Sequence, residues 1–137
     1  TSMASAYEDR EPWFGYYWGP TVQLGRYDMV KVDIGEVKPE VHERNQNPDV
    51  ENPGVSDFPA APVVTSITSD FAEREPEIAE LMSNVTFDVD TMNALLSWKT
   101  ENSASADETA AYFLQNYSDV WSEWISDAAR DNLSGLL

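Results

Sequence analysis

The chain has 137 residues, no cysteine, one histidine, and 25 acidic against 8 basic side chains, for a formal charge of −17. That length suits one domain burying roughly two-thirds of its unfolded surface, and the charge excludes nucleic acid and anionic lipid as partners, because no basic patch can neutralise phosphates. Lack of cysteine excludes disulfide, thiolate and Cys-ligated zinc chemistry, and a lone His42 excludes a catalytic triad or a multi-histidine metal site.

The opening "TSMASAYEDR" has no charged-then-apolar leader and reads as the interior of a longer protein or as an artificial end. Apolar runs are far too short to span a bilayer. "EPWFGYYWGPT" (11–21) then places two of the five tryptophans, a phenylalanine and two tyrosines before a Gly-Pro stop. Trp13 to Trp18 is apolar on both alternating faces, the pattern of a strand covered on two sides. "MVKVDIG" alternates cleanly: Val30, Val32 and Ile34 on one face, Met29, Lys31 and Asp33 on the other, a half-buried strand ended by Gly35. From Gly35 to Pro62 runs a long loop with five prolines and no periodicity, a length usual for functional loops or surface excursions. His42 falls in it and reads as solvated.

"PVVTSITSD" predicts a third strand entering a helix capped by Ser69 or Asp70, and Pro76 suits the first turn of the next. Ile78, Leu81, Met82 and Val85 would form its buried stripe. Val89, Met92, Leu95 and Leu96 stripe a further helix, capped by Asp88 or Asp90. "SADE" (105–108) is a capping box ahead of Ala110, Phe113, Leu114 and Tyr117. Ser118 opens "SDVWSEW", with Trp121 and Trp124 on one face, and Ser126 begins a last helix with Ala129, Leu133 and Leu136 inward. Strands followed by helices give an α/β fold class.

Few motifs carry chemistry. "DVDTMN" (88–93) starts like a calcium loop but lacks its glycine and its distal glutamate, so helix capping is the reading. No phosphate loop, nucleophile elbow or zinc helix occurs; the chain reads as a non-enzyme without cofactor or metal. Trp98, Trp121 and Trp124 read as packing residues. Trp18 differs, because it closes a strand where the chain must turn, and ligands of open α/β sheets sit beyond strand ends. Core and ligand contact both stay open for it on position alone. Tyr16 shares its face by alternation.

"EPWFGYYWGPT…LGRYDMVKV", "PVVTSITSDFAEREPEIAELMSNV" and "MNALLSW…ENSASADETAAYFLQNYSDVWSEWI", taken in order, resemble the substrate-binding proteins of ABC transporters for glycine betaine, proline betaine and choline. The most specific parts are the aromatic run ending in Trp-x-Pro and the Asp-Val-Trp-x-x-Trp near the C-terminus. The resemblance implies a two-lobed α/β protein with a type II periplasmic-binding-protein-like fold. This chain, residues 1–137 as a single region with its 35–62 loop, would be a partial domain from the C-terminal part. It also implies an extracytoplasmic, membrane-associated protein that delivers its ligand to a permease. Such proteins hold a quaternary ammonium in a cage of aromatic rings. Trp18 looks like a cage member, with Tyr16 and Tyr17 as further candidates. Thr21 stands where some members carry the histidine that follows the proline, toward the ligand's carboxylate end. "NQNPDVENPG" lacks the cysteine pair many relatives have in the long loop, and the remaining cage rings would come from outside these residues.

The aromatic segment supports that chemistry by itself. A trimethylammonium has no N–H to donate, so ring faces must grip it, at about 0.5–2 kcal/mol each, and an acidic field favours its approach. The alternative is a carbohydrate- or protein-binding module using the same rings as a flat platform. An exposed half-cage is expected to promote self-association through 13–18. The charge also predicts self-repulsion that salt relieves, in a salt-adapted source or in an ordinary acidic protein alike.

Overall fold

The computed structural model describes residues 1–134, and every regular element among them is helical. In chain order these are α1 (Ser2–Asp9), α2 (Val22–Arg26), α3 (Pro39–Asn45), α4 (Ser69–Arg74), α5 (Pro76–Asn84), α6 (Val89–Glu101), α7 (Ala106–Asn116), α8 (Ser118–Trp121), a 3₁₀ turn (Ser122–Trp124) and α9 (Asp127–Ser134). The α/β expectation, and with it the two-lobed sheet-based architecture, is therefore corrected: no strand or sheet occurs among the described residues.

The correction has a physical cause. Extended, β-branched sequence becomes a sheet only when its N–H and C=O groups meet a ladder. Residues 13–18, 29–35 and 62–68 are non-helical as expected, yet none pairs. Within 29–35 the predicted buried face is solvent-facing, with Val30 85% exposed and Val32 and Ile34 also exposed. Just beyond it, a single backbone bond, from Asp57 N–H to the Glu36 carbonyl at 3.3 Å, crosses to another segment.

The contacts divide the chain into two compact units, Val30–Val64 and the remainder. The smaller unit takes in the predicted long loop of 35–62 and most of the strand expected before it, and it contains a helix that the loop's prolines concealed. Pro39 occupies the first turn of α3, where its missing N–H costs nothing. Asn45 then clasps Gly54 in both directions, its Nδ2 donating to the Gly54 carbonyl at 2.8 Å and its Oδ1 accepting from the Gly54 N–H at 3.1 Å. Lys31 pairs with Asp57 at 2.7 Å, a bond that raises the lysine pKa and lowers that of the carboxylate. His42 sits against Gln46 and lays its ring edge-on to Phe58.

In the larger unit α6, α7 and α9 start on side-chain caps legible in the sequence. Asp88 accepts the Thr91 N–H at 2.7 Å, and that bond, followed by one from the Thr91 hydroxyl, holds its carboxyl below the usual range. The cap that "DVDTMN" forms is thus the helix start of α6. Ser105 and Glu108 form the predicted capping box at the start of α7. The Ser126 hydroxyl accepts the Ala129 N–H as α9 begins. Other starts differ. Thr68, one residue before the expected Ser69, caps α4, and Thr1 and Thr21 cap α1 and α2, two short helices the sequence pattern does not announce.

The core lies around Leu95, Phe113 and Trp121, with Tyr117, Val120, Trp124, Ile125 and Leu133 packed against it. Phe113 stacks on Tyr117 and Trp124 at 5.6 and 5.5 Å, Phe87 meets both Phe113 and Trp124, and Trp98 lies flat on Tyr112 at 3.9 Å. Leu133 is inward as expected; Leu136 lies outside the described residues. The stripe predicted for α5 is not buried: Ile78, Leu81 and Val85 are exposed, as is Val89 at the start of α6. An amphipathic pattern marks a face able to bury itself, and α5 is short of partners to bury it against.

Candidate functional site

The segment from Trp13 to Trp18 is anchored at both ends and open in the middle. Upstream, the Trp13 indole N–H donates to Ser2 Oγ at 3.3 Å, and its ring lies over Gly15 so closely that a Cβ there would meet it at 2.7 Å. Glycine at 15 makes that approach possible. Downstream, the Thr21 N–H donates to Asn93 Oδ1 at 2.7 Å while the Thr21 hydroxyl accepts the Leu24 N–H as the cap of α2.

Between the anchors, Tyr16, Tyr17 and Trp18 come together. Trp18 is 62% exposed and Tyr16 is also exposed. Their rings are tilted by 40° with centroids 6.1 Å apart, forming a corner. Tyr17 lies nearly parallel to Trp18 at 5.4 Å, held by its hydroxyl donating to Gln23 Oε1 at 3.2 Å. Strand alternation predicts Tyr16 beside Trp18 and Tyr17 on the opposite face. Without ladder pairing the backbone lets Tyr17 stack on Trp18 as well.

The chemistry of the three rings differs accordingly. A parallel pair at 5.4 Å has no room for a cation between its faces, so Tyr17 backs Trp18 rather than opposing it. The tilted Tyr16–Trp18 corner can receive a cationic head within the roughly 6 Å reach of cation–π attraction. Thr21 is committed by its oxygen to the α2 cap, which leaves its hydroxyl hydrogen as the group able to donate to an anion. Val89, which packs at Gly19, is flanked in sequence by Asp88 and Asp90, in a chain whose formal charge of −17 favours approach of a cation. No group of three or more acidic or histidine side chains among the described residues is arranged to hold a metal ion. No helix among them is long and apolar enough to cross a membrane.

Sequence reasoning missed two members of this neighbourhood. Asn93 is a buried polar side chain, 7% exposed, and Gly25 packs against its backbone. Their signal lies in α6: Asn93 and Ser97, four residues apart, continue from Val89 along a face that turns polar beside the apolar stripe of Met92, Leu95 and Leu96. That polar face meets α2.

A search of curated proteins finds no match. A family model described as the substrate binding domain of an ABC-type glycine betaine transport system matches residues 1–116. The matched region takes in the aromatic segment and α1 through α7. The match takes the N-terminal part of the chain, whereas the resemblance runs on to about Leu133: the Asp-Val-Trp-x-x-Trp stretch lies beyond the matched residues, and Trp121 and Trp124 serve the core. With most of its length matched, the chain belongs to the family of substrate-binding domains of ABC-type glycine betaine transport systems.

Proposed function

We propose that the chain binds glycine betaine, or a related quaternary ammonium compatible solute, against Tyr16 and Trp18, with Tyr17 backing Trp18 and Thr21 toward the carboxylate end. The observation that carries this reading is the exposed, tilted Tyr16–Trp18 corner in a strongly negative chain. Methyl groups on nitrogen present a diffuse positive charge and no hydrogen-bond donor, and ring faces are the side-chain surfaces matched to it. Membership of the family supports delivery to the membrane permease of an ABC importer outside the cytoplasm.

The two facing rings, Tyr16 and Trp18, at about 0.5–2 kcal/mol each supply roughly 1–4 kcal/mol, and a dissociation constant of 1 mM corresponds to about 4 kcal/mol. Binding by these residues alone is therefore expected to be millimolar or weaker. Titration with glycine betaine and choline, followed by tryptophan fluorescence beside glucose and maltose, tests the reading. Saturation by the quaternary ammoniums and not by the sugars is expected. The reverse order would establish a carbohydrate platform instead.

A further inference from the structure

We infer that Asn93 is the positioning residue of the ligand wall: its side-chain oxygen fixes the exit of the aromatic segment and so the setting of Trp18. The inference rests on the reading of Trp18 as a ligand contact.

Three observations converge on it. Asn93 is one of two buried polar residues among those described, and a buried amide is retained at a cost unless its hydrogen bonds are made. Its Oδ1 accepts the Thr21 N–H at 2.7 Å, a bond joining residues 72 apart in sequence. Thr21 is three residues beyond Trp18, and its N–H lies outside the intrahelical ladder of α2, so this oxygen is the partner that Thr21 has. Lastly, Asn93 is held from the backbone side. A Cβ at Gly25 would run into the Asn93 carbonyl and meet the Ser97 Cβ at 3.0 Å, so α2 and α6 are in close contact along the Asn93–Ser97 stripe. Ser97 in turn donates its hydroxyl to Glu101. Gly19 touches Val89, one turn before Asn93 on the same stripe.

Helix α6 thus has two jobs on two faces. Leu95 belongs to the aromatic core, while Val89 packs at Gly19 and Asn93 holds Thr21 in the turn that follows Trp18, with Ser97 packed against α2 at Gly25. The acceptor must be an oxygen on a short side chain at this position. Aspartate supplies one in the same place; alanine and leucine do not.

The test is nuclear magnetic resonance of the ¹⁵N-labelled chain, reading the Thr21 amide and the Trp18 indole N–H, with glycine betaine added to tens of millimolar. Asn93→Ala is expected to shift both signals and to weaken betaine binding roughly tenfold. Asn93→Asp is expected to leave the Trp18 indole near its original position and the dissociation constant within about twofold. Leu133→Ala, remote from the wall, controls for lost stability: it should lower the melting temperature without moving either readout. An unmoved Trp18 signal in Asn93→Ala, or a Leu133→Ala effect on binding as large, would overturn the inference. Trp18→Ala separates the two readings. If it binds betaine as the parent does, the ligand wall itself is misassigned; if it loses binding while Asn93→Ala keeps it, only the positioning role fails.

Discussion

Trp18 and Trp121 are the same residue in opposite situations. Trp121 is 4% exposed, donates its indole N–H to the Leu114 carbonyl at 2.8 Å, and sits in a core of Leu95 and Phe113. Trp18 is 62% exposed beside Tyr16 and Tyr17, on a segment without ladder partners. A buried ring with a satisfied N–H stabilises the fold, whereas an exposed ring beside others leaves its binding capacity unspent. The lesson is that aromatic density alone does not separate a core from a site; the partner of the polar edge and the exposed face do.

Substitution of the two tryptophans should break the comparison most sharply. Trp121→Ala removes a packed ring and is expected to cost about 3–5 kcal/mol of stability, read by denaturant unfolding. Trp121→Phe, which keeps one aromatic ring but loses the indole N–H and strands the Leu114 carbonyl, should cost about 1–3 kcal/mol. A loss from either no larger than from Trp18→Ala would erase the distinction. Next in size, Ser105→Ala opens the capping box of α7, which carries Phe113 and the Trp98-stacked Tyr112. A loss of about 0.5–2 kcal/mol is expected, confined to stability and absent from betaine affinity.

The helical half of this picture was legible in the sequence because its signals are local. Asp88, the Ser105–Glu108 box and Pro76 each specify a helix start within one turn, and the structure uses all three. The strands were misread for the complementary reason. Val30, Val32 and Ile34 declare a preference for extended backbone and a wish to be covered, but pairing depends on another segment that alternation cannot name. Of the site, Trp18 and its two tyrosines stood out by density. Asn93 did not, because an asparagine inside a helix announces nothing until α2 is seen beside it.

Smaller effects sharpen the contrast between the two regions through charge. With −17 formal charge, the melting temperature should rise with sodium chloride from 0.01 M, where the Debye length is about 30 Å, and most of the gain should be complete by about 0.15 M, where it is about 8 Å. A flat curve would mean that the carboxylates are already compensated. Acid acts in the other direction. Asp57, Asp88 and Glu108 are each held below the usual carboxylate range by hydrogen bonds to their ionised forms, from Lys31, Thr91 and Ser105 respectively. Depressed folded values stabilise above the unfolded values near 4 and lose that contribution as pH falls through the folded ones. The melting temperature should therefore fall below about pH 4, and Asp88→Asn, which keeps a capping oxygen without a titrating proton, should shallow that fall.

The account turns on Trp18 as an exposed ring reserved for a cationic ligand. Its most direct test is the glycine betaine dissociation constant of Trp18→Ala beside the parent chain, with melting temperatures measured on the same samples. A five- to thirtyfold weaker affinity is expected, about 1–2 kcal/mol, with the melting temperature nearly unchanged and part of the affinity returning in Trp18→Phe. Unchanged affinity in a folded Trp18→Ala, or a collapse of its melting temperature to that of Trp121→Ala, would contradict the account.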